Sequence, residues 1–282
     1  MAQKSETRNP DAEYGIVCAG AVSTSLVGRL PGHARALGPV AGVSYRVASR
    51  IANSLKAGWP VPSFDELDPY RLILFSSSPE QVSPLVQLLL DAKIQWSGKS
   101  LIFWDCDVPG MLLRRFGASG ASIARVRRCG VAGHLTVTGS APALTFANRL
   151  IRELKAKPIE IAPGSEVLFD AAMTMGTAAL TPLLDSIARI LRQCGVRDAE
   201  ATHMAAGLFA ATATDYAHSG RQSWAWHIQE PDSEELFQQL RQLEEPLRSL
   251  LRNLLMLGFR AFDRHPAVLA ALAAGMTDPD GA

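Results

Sequence analysis

The sequence predicts an α/β Rossmann-type N-terminal domain followed by an all-α C-terminal domain. Short apolar runs of strand length alternate with amphipathic stretches as far as Ile161, which is typical of a parallel sheet covered by helices. Beyond Ile161 only helical periodicity remains. We expect a loose tail over residues 1–12, the Rossmann-like domain over 13–163 and the helical domain over 164–282.

Composition narrows the class of protein. With 282 residues, 48% hydrophobic content and a formal net charge of +1, the chain can bury a core in each of two domains, and its charge argues against a nucleic-acid partner. Every long apolar stretch has polar interruptions and the start lacks a signal-peptide core, so we expect a cytoplasmic protein without membrane spans. Four widely separated cysteines form no CxxC pair, which predicts neither a metal site nor a disulfide framework.

The first element is a strand, a tight turn and a helix. Tyr14–Ala19 is an apolar run, and Gly20 precedes a helical pattern. A dinucleotide-binding turn needs this order, because backbone N–H groups and the positive end of the helix must approach a pyrophosphate. In a G-x-G-x-x-G frame only the middle glycine is retained, so a strand–turn–helix without a ligand remains an alternative. The candidate cofactor-binding residues are Cys18, Ala19, Gly20, Ala21, Val22 and Ser23.

The next predicted strand, Val40–Ser44, indicates which cofactor would bind. Where the fold customarily places a carboxylate for the adenosine ribose, the chain has Ser44, Tyr45 and Arg46. A hydroxyl and a guanidinium would bind a 2′-phosphate, which favours NADP(H) over NAD(H). The alternative is that Arg46 and Arg50 form a solvated helix face.

A serine-rich loop follows the third predicted strand. Ser63 to Glu66 has the pattern of a capped short helix, and Arg71–Phe75 reads as a buried parallel strand. Ser76, Ser77 and Ser78 then precede a helix that begins at Pro79 and ends at Ala92. Because ligands bind at strand ends in such a sheet, we expect these serines to face the nicotinamide end.

Two aspartates follow the fourth predicted strand, Lys99–Trp104. Asp105 and Asp107 could bind a metal or cap a helix that begins at Val108. Their loop spacing and the lack of an adjacent histidine favour the cap, and we predict no metal.

Three further strands complete the predicted sheet, over Ala121–Arg127, His134–Thr138 and Pro158–Ile161, with a helix over Ala141–Lys155 between the last two. The first of these strands and its end carry Arg125, Arg127 and Arg128. This basic cluster is either a solvated surface, which we favour, or a site for an anionic ligand.

The helical domain is organised around an apolar stretch from Val167 to Gln193, which predicts one long, mostly buried helix with a kink at Thr181-Pro182. Thr174, Thr177 and Thr181 share a narrow stripe of that helix. Buried hydroxyls need partners, so these threonines either line a substrate cleft or bond their own backbone. Further helices are predicted over Glu234–Phe259 and Pro266–Ala274.

Reactive side chains concentrate between Ala213 and His227. Asp215 and His218 stand one helical turn apart and could act as a proton-transfer pair. Ser219, Arg221 and Ser223 are candidates to bind a substrate, the guanidinium by pairing with a carboxylate. The alternative is a helix that ends at His218-Ser219 and is stopped by Gly220.

The order of these elements, with Gly20, the Ser44–Arg46 segment and the Ser76–Ser78 loop, resembles the 6-phosphogluconate-dehydrogenase-like superfamily. Members include β-hydroxyacid dehydrogenases, ketopantoate reductase and pyrroline-5-carboxylate reductase. The nearest likeness is to Rossmann-like proteins with a helical domain of unknown function. The resemblance implies a pyridine nucleotide on the first domain, a small-molecule substrate in the cleft against the second, and a homodimer formed largely by the helices.

One departure from the superfamily bears on mechanism. β-Hydroxyacid dehydrogenases and ketopantoate reductases carry a lysine on the helical domain as proton donor, and this chain has no lysine after Lys157. The sequence therefore predicts an NADP(H)-dependent oxidoreductase for a small carbonyl, hydroxy or imine compound, with His218 and Asp215 in place of the lysine. The alternative is a non-catalytic NADP(H)-binding dimer that acts as a sensor or scaffold.

Overall fold

The computed structural model describes residues 11–19, 29–30, 33–223, 233–262 and 266–274. The chain divides into two compact units, residues 1–173 and 174–282. The domain boundary predicted between residues 163 and 164 stays a prediction.

The described part of the first unit forms an eight-stranded sheet. Its strands are β1 (Tyr14–Ala19), β2 (Leu37–Ala41), β3 (Trp59–Pro60), β4 (Leu72–Ser77), β5 (Ser100–Trp104), β6 (Ser122–Arg128), β7 (His134–Gly139) and β8 (Lys157–Glu160). They lie in the order β3-β2-β1-β4-β5-β6-β7-β8. The β6–β7 pair is antiparallel, and every other pair is parallel.

Helices connect these strands. They are α1 (His33–Ala36), α2 (Tyr45–Leu55), α3 (Pro79–Asp91), α4 (Gly110–Ala118) and α5 (Ala141–Glu153), with a short 3₁₀ helix at Phe64–Leu67. Ser63 caps the 3₁₀ helix as predicted, since its hydroxyl accepts a hydrogen bond from the Asp65 backbone N–H at 3.2 Å.

Each face of the sheet has its own core, because successive strand residues point to opposite faces. Ile16 and Leu74 belong to the core that includes residues of α2 and α5, whereas Val17 and Phe75 belong to the core that includes residues of α3 and α4. Burial on both faces explains why the central strands are continuous apolar runs.

The structure corrects two details of the predicted sheet. The second strand ends at Ala41, so Ser44 is the N-cap of α2 and not the last residue of a strand. The two-residue strand β3 was not predicted, because two residues carry no periodicity.

A further helix, α6 (Glu166–Gly176), begins in the first unit and ends in the second. The second unit then contains α7 (Leu180–Gln193), α8 (Asp198–Ser219), α9 (Ser233–Gln242), α10 (Leu247–Phe262) and α11 (Pro266–Ala273), with a 3₁₀ turn at Gly220–Ser223. Leu240, Phe259 and Leu272 of the last three helices share one core.

The prediction of one long, mostly buried helix from Val167 to Gln193 is wrong in its continuity, in the position of its kink and in its burial. The helix breaks between Gly176 and Leu180, and the kink predicted at Thr181-Pro182 is replaced by this earlier break. Pro182 lies in the first turn of α7, where its missing N–H costs no helical hydrogen bond. The described residues of α6 are not buried, and among those of α7 only Ala188 is.

Candidate functional site

The strand order places a topological switch point, the usual location of a ligand-binding crevice, at the carboxyl ends of β1 and β4. β1 lies between β2 and β4. The chain that follows β2 crosses one face of the sheet, and the chain that follows β4 crosses the opposite face. Ligands of open α/β sheets bind at such a switch point. Cys18 pairs with Ser76 and Ala19 with Ser77, and the Ser78 N–H donates to the Ala19 carbonyl oxygen at 3.2 Å. Both strands therefore end level at the crevice.

The serine loop leads into a helix whose amino end lies at this edge. Ser78 is the N-cap of α3 and Pro79 occupies its first turn. The Ser77 hydroxyl donates to the Ser78 carbonyl oxygen at 3.2 Å, and Ser76 is buried. The free N–H groups of a helix amino end favour an anion or a polar ligand.

Ser44, Tyr45 and Arg46 stand at the amino end of α2. The Ser44 hydroxyl oxygen accepts a hydrogen bond from the Val47 N–H at 3.3 Å, and its own proton remains available to a ligand oxygen. Tyr45 and Arg46 are exposed. Within the described part of the chain, Arg46 has no carboxylate partner.

Two buried thiols, those of Cys18 and Cys106, lie near the same edge of the sheet. Burial raises the pKa of Cys18 to about 12, and burial also raises the pKa of Cys106 to about 12. The Cys106 thiol lies 3.8 Å from the Phe75 carbonyl oxygen. Both cysteines are therefore neutral, compact apolar side chains at physiological pH rather than nucleophiles.

The turn after Ala19 lies outside the described residues. This applies to the candidates Gly20, Ala21, Val22 and Ser23, whose predicted contact with a pyrophosphate stays a prediction.

The two aspartates after β5 take a role that the sequence did not predict. Asp105 pairs with Arg128 at 2.6 Å and Asp107 with Arg127 at 3.0 Å. The predicted cap is wrong, since the helix begins at Gly110 after a Pro109 N-cap. Among the described residues no group of three or more His, Cys, Asp and Glu side chains could hold a metal ion.

The basic cluster on β6 is correspondingly engaged in ion pairs. Arg125 pairs with Glu166 at 3.2 Å, and Arg127 also pairs with Asp170. These arginines are therefore paired with carboxylates, and Arg128 remains 67% exposed, as expected for a surface cluster. The alternative of an anion site stays a prediction.

In the second unit, Asp215 and His218 lie on α8, one turn apart. The His218 Nδ1 lies 2.8 Å from the Thr214 carbonyl oxygen, which can only accept, so Nδ1 carries the proton. The Nε2 atom is then left for a ligand, and the ring is exposed. α8 ends at Ser219 before Gly220, the ending expected under the structural alternative.

The remaining substrate-binding candidates separate into two groups. Arg221 donates to the Ala261 carbonyl oxygen at 2.8 Å, and the buried Ser223 donates to that of Gly220 at 2.9 Å, so both hold the backbone. Thr174, Thr177 and Thr181 are exposed and divided between α6, the break and α7. The prediction of a continuous buried stripe of threonines is therefore wrong.

A sizeable cavity lies elsewhere in the described part of the chain. It measures about 860 Å³ at the amino ends of the strands, and Glu13, Asp68 and Tyr70 are among its lining residues. Arg149 pairs with Glu13, and Lys99 pairs with Asp68. Since α/β sheets bind ligands at the opposite edge, we place the site at the ends of β1 and β4.

Comparison with known proteins agrees with this architecture. A family profile described as a domain of unknown function, DUF2520, matches residues 134–254. A search of curated proteins finds no match.

Several solved structures share the fold across nearly the whole chain. A pyrroline-5-carboxylate reductase from Coxiella burnetii has 13% identity and a TM-score of 0.55, over 94% of this chain and 98% of its own. An imine reductase from Aspergillus terreus, in complex with NADPH4 and a dibenzazepine, has 15% identity and a TM-score of 0.60, over 94% and 92%. A reductive aminase from the same organism, in complex with NADPH and ethyl-5-oxohexanoate, has 13% identity and a TM-score of 0.56, over 93% and 92%.

Proposed function

Because this chain has the fold of the 6-phosphogluconate-dehydrogenase-like superfamily, a Rossmann-like domain followed by a helical domain, we propose that it is an NADP(H)-dependent oxidoreductase. Its substrate is a small carbonyl, hydroxy or imine compound. The observation that carries the proposal is the topological switch point at the carboxyl ends of β1 and β4, where the Ser78 N–H donates to the Ala19 carbonyl oxygen.

The described residues around this crevice fit a phosphorylated dinucleotide. Ala19, Ser76 and Ser77 are small, so they leave room for a ligand at the strand ends. Arg46 at the start of α2 offers a guanidinium for a 2′-phosphate, and Ser44 offers a hydroxyl proton. When bound, the cofactor supplies hydride chemistry, and these residues position it.

The missing lysine favours an imine among the possible substrates. Reduction of a neutral carbonyl leaves an alkoxide that needs a proton, whereas an imine can arrive already protonated. We propose His218 as the proton donor of the second unit, through its Nε2 atom when the ring is cationic. We propose that Asp215, one turn away on α8, orients the imidazole.

We also propose that the protein is a homodimer formed largely by the helices that follow residue 164. Val167 and Leu168 on α6 are 82% and 74% exposed, and Met175 is 67% exposed. Exposed apolar surface of this kind is typical of a protein–protein interface.

A membrane span explains the same helices less well. Residues 166–193 are long and apolar enough to cross a membrane, although a single such helix is weak evidence. Glu166 and Asp170 form ion pairs with arginines of β6, and a membrane core would not hold this charged face. We therefore propose a cytoplasmic protein.

The proposal is tested by a thermal-shift panel with NADPH, NADP, NADH and NAD, followed by NADPH oxidation with cyclic imines and small keto acids. A cofactor at about 100 times its dissociation constant should stabilise the fold by ~2.7 kcal/mol. We expect the largest shift with NADPH and turnover with an imine. Binding without turnover on any compound would support the sensor or scaffold instead, and no shift with any nucleotide would contradict both.

A further inference from the structure

Two ion pairs hold the beginning of α6 against β6. Arg125 and Arg127 lie two residues apart on one face of the strand, and Glu166 and Asp170 lie one turn apart on the helix. Arg125 pairs with Glu166 at 3.2 Å, and the Arg127 guanidinium pairs with Asp170. The spacing along the strand therefore matches the spacing along the helix.

Arg127 differs from Arg125 because it has a second partner. Its other guanidinium nitrogen lies 3.0 Å from the Asp107 carboxylate, in the loop that follows β5. That loop lies at the carboxyl edge of the sheet, next to the end of β4. The guanidinium of Arg127 thus bridges the ligand-binding edge and α6.

The backbone of the sheet anchors one end of the Arg127 side chain. The backbone of Arg127 is held within the sheet, where β6 pairs with both β5 and β7, and its carbonyl oxygen accepts a hydrogen bond from the Thr136 hydroxyl at 3.2 Å. Asp107 is 86% exposed on its side chain, so a ligand at this edge can reach it. A displacement of the Asp107 carboxylate would therefore move the Arg127 side chain, whereas the backbone of β6 would stay in place.

We propose that Arg127 is a positioning residue that couples occupancy of the crevice to the stability of α6. This inference rests on the proposed NADP(H) site. A nucleotide packed against the loop of residues 105–109 restrains Asp107, the restrained carboxylate holds the guanidinium in place, and the guanidinium then holds Asp170. The helix that continues into the second unit at Thr174 is thereby stabilised when cofactor is bound.

Hydrogen exchange of the full-length protein, with and without saturating NADPH, tests the coupling. In the unmodified protein NADPH should slow amide exchange both in residues 105–109 and in α6, the latter by at least about five-fold, the lower end of typical coupling between sites. Arg127→Gln should keep the response of the loop and lose that of α6. Asp107→Asn should lose the α6 response as well, without altering any group that touches the helix.

Arg125→Gln is the matched control, because it removes the other ion pair of α6 but no contact with the loop. It should speed exchange of α6 in both states and leave the NADPH response intact. NADPH binding is measured on the same samples by calorimetry, which separates the two hypotheses. Binding without any response of α6, or an equal loss of response in Arg125→Gln and Arg127→Gln, would overturn the coupling alone, whereas a lack of binding would overturn the proposed function and the coupling together.

Discussion

The backbone N–H of Ser78 donates to the carbonyl oxygen of Ala19 at 3.2 Å, and this bond joins the ends of the two strands that flank the candidate site. It sets the serine loop and the amino end of α3 beside Ala19, the last residue of β1.

Arg46 should determine the choice between the two nicotinamide cofactors. We expect NADPH to bind more tightly than NADH, and Arg46→Ala to remove most of the difference, because loss of one guanidinium–phosphate contact costs roughly 1.5–3 kcal/mol. Calorimetric titration of both nucleotides measures this. Arg114→Ala, an exposed arginine on α4, is the control and should change neither affinity. Equal affinities in the unmodified protein would contradict the prediction.

The buried thiols should make the fold sensitive to alkaline pH. The pKa of Cys18 is raised from 9.0 to about 12, so the folded state binds this proton more tightly than the unfolded state. Its contribution to stability is complete below pH 9.0 and is lost as the pH rises towards about 12. Denaturant midpoints over this range should fall, less steeply in Cys18→Ala. The exposed Cys194 is the control, and a slope changed equally by Cys194→Ala would refute this account.

The central sheet could be predicted from the sequence because its strands are buried on both faces. Leu72–Phe75 and Leu101–Trp104 are uninterrupted apolar runs, and such runs need no knowledge of their neighbours to be recognised. The order of the strands within the sheet was not predicted, because it depends on pairing between residues that are distant in the chain.

Contacts between distant residues could not be predicted in this way. Asp107 and Arg127 are 20 residues apart, and periodicity does not show that they meet at 3.0 Å. The apolar face of residues 167–193 predicted a buried helix, and this prediction was wrong for the described residues. Periodicity did not show that this face is left exposed in the described part of the chain, nor that a new helix would begin at Leu180.

Leu168 should contribute to the proposed dimer. A carboxylate at this exposed apolar position would be buried in the interface without a partner, so Leu168→Glu should shift the protein to monomer. Sedimentation velocity over a range of concentrations measures the state. Leu88→Glu, on an exposed position of α3, should leave the dimer unchanged. A concentration-independent monomer in the unmodified protein would rule out the dimer.

His218 should matter for turnover more than for cofactor binding. With a keto acid found by the screen, whose reduction needs a proton from the protein, His218→Ala should lower kcat by roughly 10²–10⁴-fold and leave the affinity for NADPH nearly unchanged. Asp215→Asn should cause a smaller loss if the carboxylate only orients the imidazole. Full activity of His218→Ala would make the histidine a helix-end residue, bonded to Thr214 for structural reasons.

The most direct test of the nucleotide site is a calorimetric titration of NADPH into the unmodified protein and into Gly20→Val, with circular dichroism to verify the fold. Gly20 follows the last residue of β1, where a side chain should obstruct the pyrophosphate. We predict one NADPH bound per unmodified chain and none bound by the folded Gly20→Val variant. Undiminished binding by that variant would contradict a nucleotide site at the ends of β1 and β4.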